Sequence, residues 1–168
     1  MTSRIAVCPG SFDPVTEGHL DIVRRARTLF DQVVVAVGVN VTKSALLPPT
    51  QRVEMFARAT ASMSGVRVVR MSGLLADLCR DEGASAIVKG LRGGADFDSE
   101  QPMALMNRHL SGVETVFITG DPGLSHISSS MVKDVAGHGG PIYDLVPEGV
   151  ADAVYHALDI NVPKEGVR

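Results

Sequence analysis

Tryptophan is absent from this chain of 168 residues, which holds two tyrosines and five phenylalanines. With 45% hydrophobic residues overall, any core must therefore be built from Val, Ile, Leu, Ala and Met. The two cysteines, Cys8 and Cys79, fit no metal-ligand or redox spacing and read as reduced core thiols of a cytoplasmic protein. The longest apolar run, Val33 to Val39, is too short to cross a bilayer, and the N-terminus lacks a signal-peptide h-region, so no membrane role is expected. Neither charge sign dominates. The formal net charge of −3 excludes the basic face that general nucleic-acid binding needs, so any phosphate binding must be local. Repeats, low-complexity segments and internal linkers are also missing. One domain over residues 1–160 is expected, followed by a frayed tail over 161–168.

What is present is an alternation of strand and helix patterns. Strands are expected at Ile5–Cys8, Gln32–Val39, Val66–Met71, Ser85–Val88 and Val113–Thr119. Helical spacing of apolar residues begins at Leu20, continues over residues 50–63 with Val53, Phe56, Ala57 and Ala59 inward, and recurs at Leu74–Arg80. Further helices hold Met103 to Leu110, start near Ser129, and span Gly149–Leu158. This order implies an α/β fold, a doubly wound five-stranded parallel sheet with right-handed crossovers. If its strand order is 3-2-1-4-5, ligands belong beyond the carboxyl ends of strands one and four, where the order reverses.

Three stretches end at that edge. The first is Gly10-Ser-Phe-Asp-Pro-Val-Thr16-Glu-Gly-His19. Thr16 suits an N-cap, which places Gly18 and His19 in a first helical turn whose free N–H groups and dipole favour an anion. A lone Gly-x-His is more often a surface corner than an anion site. The second is Lys89-Gly-Leu-Arg92-Gly-Gly94, a loop that offers two cations to a phosphate or merely to water; Lys43, after strand two, is a third. The third is His126-Ile-Ser128-Ser129-Ser130, either a redundant N-cap or a second anion site at a helix start.

The first string resembles the signature of the nucleotidyltransferase superfamily whose members carry a T/H-x-G-H motif. Five further pieces follow in order: Lys43, Lys-Gly-Leu-Arg92, Ala-Asp-Phe97 to Glu100, Met106-Asn-Arg-His-Leu110 and Ile127-Ser-Ser-Ser-Met-Val-Lys133, and Pro9 stands ahead of the first string. Together they resemble the bacterial phosphopantetheine adenylyltransferase family, with the middle motifs discriminating it from related nicotinate-mononucleotide and cytidylyl enzymes. The resemblance implies a Rossmann-like nucleotidyltransferase that joins ATP and 4′-phosphopantetheine to give dephospho-coenzyme A and pyrophosphate, with Mg²⁺ on the ATP phosphates and no metal held by protein side chains. It implies a homohexamer. It assigns Ser11, Lys43, Leu75 and Lys89 to the pantetheine substrate. To ATP it assigns Ser11, Phe12, His19, Gly90, Leu91, Arg92, Glu100 and the loop Leu124, Ser125, His126, Ile127, Ser128, Ser129 and Ser130.

Because a phosphate monoester is already an anionic nucleophile, catalysis would reduce to alignment and charge stabilisation, with His19, Lys43 and Arg92 as the donors. Whether His19 is charged stays open, since the helix terminus disfavours the cation and bound phosphates favour it. Lys89 stands where the family commonly has arginine. Pro102 falls inside the expected fourth-strand crossover helix, which should therefore begin late or kink. Two other readings remain: a different acceptor on the same fold, or a nucleotide-binding regulator without turnover.

Overall fold

A computed structural model describes residues 3–39 and 44–161. Lys43 and tail residues 162–168 lie outside the described residues. Along the chain run β1 (Ile5–Gly10), α1 (Glu17–Leu29), β2 (Gln32–Val37), α2 (Pro49–Ala59), β3 (Val66–Arg70) and α3 (Leu75–Asp81). β4 (Ala86–Leu91), α4 (Gly94–Ser111), β5 (Thr115–Thr119), α5 (Ser129–Gly137) and α6 (Val150–Ala157) complete it, with one 3₁₀ turn at Pro122–Leu124. All four strand pairings are parallel, in the expected order β3-β2-β1-β4-β5.

The alternation of side chains along buried strands divides the core in two. Ala6, Cys8, Val33, Val35, Val37 and Val88 face one side, where Val23 and Ala26 of α1, Phe56 of α2, Val132 of α5 and Tyr155 of α6 cover them. Val7, Val34, Ala36 and Ile87 face the other, against Cys79, Leu75 and Leu78 of α3. Each layer buries what a single sheet face would leave wet. Among the described residues, no helix is long and apolar enough to cross a membrane.

Of the boundaries that differ from the sequence pattern, three have a clear physical cause. β4 continues three residues past Val88, because Lys89, Gly90 and Leu91 pair with Phe117, Ile118 and Thr119 of β5. The Lys89–Leu91 stretch is thus strand rather than loop. Gly90 serves close approach there: a Cβ would meet Ile22 of α1 at 2.5 Å. α2 stops at Ala59, where the Thr60 hydroxyl donates to the Phe56 carbonyl at 2.9 Å and the chain turns away. Its buried face carries Arg52, Met55 and Phe56, while Ala57 is exposed. α4 runs from Gly94 to Ser111 with Pro102 inside it, so the helix does not begin late. Pro102 is on an exposed face, so the Asp98 carbonyl that loses its helical donor can turn to water.

Candidate active site

β1 ends in a turn that delivers Ser11, Phe12 and Asp13 and then starts α1. Thr16 is the N-cap: its hydroxyl accepts the His19 N–H at 3.4 Å, and its own N–H donates to His19 Nδ1 at 3.0 Å. This reciprocal box satisfies two backbone donors that a helix start would otherwise leave free. It also decides the histidine's chemistry. Nδ1 accepts a hydrogen bond, so the neutral ring carries its proton on Nε2, and protonating Nδ1 would set donor against donor. Burial lowers the His19 pKa to about 4, and the charges of Arg92 and Lys89 act in the same direction. The imidazole is neutral near pH 7, a hydrogen-bond donor rather than a fixed charge.

His19 lines a cavity of about 340 Å³ at the carboxyl ends of β1 and β4, the switch point of the sheet. Ser11, Phe12, Gly90, Leu91, Arg92, Glu100, Leu124, Ser125, Ile127, Ser128, Ser129 and Ser130 border the same space. His126 does not; its side chain is exposed. The helix starts of α1 and α5 both open on this cavity. Of the three serines, Ser128 caps α5 by accepting the Met131 N–H at 3.2 Å, and the Ser129 hydroxyl donates to the Pro14 carbonyl at 2.8 Å. Ser130 is exposed.

Both described cations are held by acids of α4. Asp96 accepts from Arg92 Nε and Nη2, each at 3.0 Å, and from the Arg92 backbone N–H at 2.9 Å. The Arg92 hydrogen bond holds the Asp96 carboxyl below its ordinary pKa and raises that of Arg92. Lys89 Nζ lies 3.1 Å from Glu100. That pair borders a second cavity too, of about 420 Å³, which also contains Ser11, Leu75 and the apolar side chains of Met103 and Met106. Leu75 therefore belongs to the second space and His19 to the first, with Ser11, Lys89 and Glu100 common to both. Cys8 lies at the inner wall; burial pushes its thiol up to about 12, which removes it as a nucleophile.

Sequence reasoning missed the supports beneath the site. Buried Asp13 accepts the N–H groups of Leu46 and Leu47, each at 2.8 Å, and Lys133 Nζ at 3.1 Å. Buried Arg52 donates to the carbonyls of Leu47 and Gly38 at 3.0 Å and to that of Ser11. One acid and one guanidinium thus tie the ends of β1 and β2 to the start of α2 and to α5. The sequence offered one usable signal, the i,i+4 spacing of Arg92 and Asp96.

Residues 7–135 match the Cytidylyltransferase-like family. A phosphopantetheine adenylyltransferase from Nocardioides sp. is 57% identical over 145 residues, covering 86% of this chain and 91% of that protein. One from Streptomyces coelicolor is 51% identical over 155 residues, 92% of this chain and 98% of its own. The chain belongs to the phosphopantetheine adenylyltransferase family. A solved structure of a nicotinate-nucleotide adenylyltransferase candidate from Vibrio parahaemolyticus superposes with a TM-score of 0.64 at 15% identity, over 91% of this chain and 99% of that one. At that identity the likeness speaks to the nucleotidyltransferase fold alone. In this member of the phosphopantetheine adenylyltransferase family, the discriminating motifs sit on β4 and α4, the two elements that wall both cavities.

Proposed function

We propose that this chain transfers the adenylyl group of ATP to 4′-phosphopantetheine, releasing pyrophosphate and forming dephospho-coenzyme A. The observation that carries the reading is the pair of adjoining cavities with Lys89 on their common border and the His19 Nε2–H offered to one of them. ATP would occupy the smaller space, with its phosphates at the starts of α1 and α5 near Arg92. The acceptor would lay its apolar arm against Leu75, Met103 and Met106 and its phosphate near Lys89; Lys43, outside the described residues, is the further cation that the family resemblance assigns to it. That phosphate attacks the α-phosphorus, a P–O bond forms to the acceptor oxygen, and the bond to pyrophosphate breaks. No protein base is needed. His19 and the cations stabilise charge that builds on the α-phosphoryl oxygens.

Among the described residues, no group of three or more His, Cys, Asp or Glu side chains is placed to hold a metal ion. Mg²⁺ would arrive on the ATP phosphates, as part of the substrate. The family names of the close relatives support this acceptor over nicotinate mononucleotide. Pyrophosphate release should require both ATP and 4′-phosphopantetheine, and neither CTP nor nicotinate mononucleotide should substitute. Release with another acceptor, or none with phosphopantetheine, would overturn the reading.

A further inference from the structure

Phe12 has a φ of 47°, in the left-handed region that a bulky residue rarely enters. Such strain persists only where the surroundings enforce it, and at a functional turn it asks what the conformation delivers. Here it delivers a ring. The Phe12 side chain is 8% exposed and packed on three sides. Behind it Gly10 supplies room, since a Cβ there would lie 2.7 Å from the ring. Phe56 of α2 meets it edge-to-face at 4.7 Å and 72°. On its remaining side stands His19, with ring centroids 5.0 Å apart and planes at 88°. The perpendicular contact is the arrangement aromatic quadrupoles favour.

The imidazole itself is tied at one ring atom: its Nδ1 receives the Thr16 N–H, with the Thr16 hydroxyl 3.1 Å away. A bond at one atom leaves the ring free to swing about it. A rigid wall perpendicular to the ring removes that freedom. We infer that the Phe12 side chain is a positioning residue: it holds the His19 imidazole in the orientation that keeps Nδ1 on the Thr16 N–H, and through that bond keeps the proton on Nε2, toward the nucleotide cavity. The backbone of Phe12 can still contact ATP; the ring acts through His19. This inference rests on the proposed function for its kinetic consequence, but the state of the imidazole can be read without substrate.

The test uses the full chain with histidine labelled in nitrogen-15. Wild type should show His19 as a single Nε2–H tautomer at pH 7. Phe12→Leu and Phe12→Met should both shift its ring nitrogens toward an average of tautomers. Each should lower kcat for dephospho-coenzyme A formation by about tenfold or more, with the ATP KM within about threefold. In a His19→Ala background, Phe12→Leu should cost less than about twofold further, because the ring has nothing left to hold. Met keeps most of the volume, so the question stays answerable if the leucine variant does not fold. An unchanged tautomer signature in a folded variant, or an equal loss of kcat in the His19→Ala background, would overturn the inference. If no substrate turned over at all, the proposed function would fail while the nitrogen spectra still decided this point.

Discussion

His19 is at once a capping side chain of α1 and a wall of the cavity at the ends of β1 and β4. Its catalytic share is expected to be that of one preorganised donor, about 3–4 kcal/mol, so His19→Ala should lower kcat by roughly 10²–10³-fold and leave the ATP KM nearly unchanged. A mutant that kept more than about a tenth of the wild-type kcat would remove this role. The ring also makes stability depend on pH. Its folded pKa near 4 lies below the ordinary 6.5. Between those values the unfolded chain binds a proton that the folded chain refuses. Stability therefore falls as pH drops from about 6.5 to 4, by up to ~3 kcal/mol from this one group. Urea titrations at pH 7 and pH 4.5 should show a smaller loss for His19→Gln than for wild type; equal losses would contradict it. Lys89 belongs to the same scale. Its single ammonium, paired with Glu100, sits on the border of both cavities. Lys89→Ala should raise the KM for 4′-phosphopantetheine more than that for ATP, and Lys89→Arg should be tolerated; equal effects on the two substrates would refute the division of the crevice.

At the scale of elements, α4 is the surprise. Pro102 lies in its interior, where proline costs a helix about 3 kcal/mol relative to alanine. Replacement by alanine would restore the bond to the Asp98 carbonyl but free the unfolded chain, a partial offset of about 0.5–1 kcal/mol. Pro102→Ala should therefore stabilise the protein by roughly 2–2.5 kcal/mol, read as a raised denaturation midpoint at unchanged slope; a lowered midpoint would show that the proline shapes the helix. The order of elements was legible because buried parallel strands are runs of Val, Ile and Ala, and α1 announces itself with Thr16 and a clean apolar stripe. The reach of β4 was not, since strand pairing with Phe117–Thr119 is long-range and outweighs the turn preference of glycine. The burial of Arg52 was not legible for a similar reason. Its partners, the carbonyls of Ser11 and Gly38, come from loops far away along the chain. Asp13 and Lys133, 120 residues apart, are equally invisible to local pattern. The tautomer of His19 depends on one backbone N–H, a matter of geometry that composition does not encode.

At the scale of the molecule, β5 is a sheet edge beside α4, where Met103, Leu105, Met106 and Leu110 are exposed. Met103, Met106 and Leu110 line the second cavity, whereas Leu105 does not. The family resemblance implies a closed homohexamer, and we retain that as a proposal: light scattering at micromolar concentration should report about six chains. An active monomer over that range would refute the assembly and leave the site intact. The common border of the two cavities has one more consequence. Under the proposed function each substrate would fill a single chamber, and the reaction would join them into a molecule that threads both. Such a bridging compound gathers two sets of contacts while giving up its translational freedom once. Dephospho-coenzyme A should thus grip the protein more tightly than either parent, making its departure, rather than its formation, the throttle on turnover.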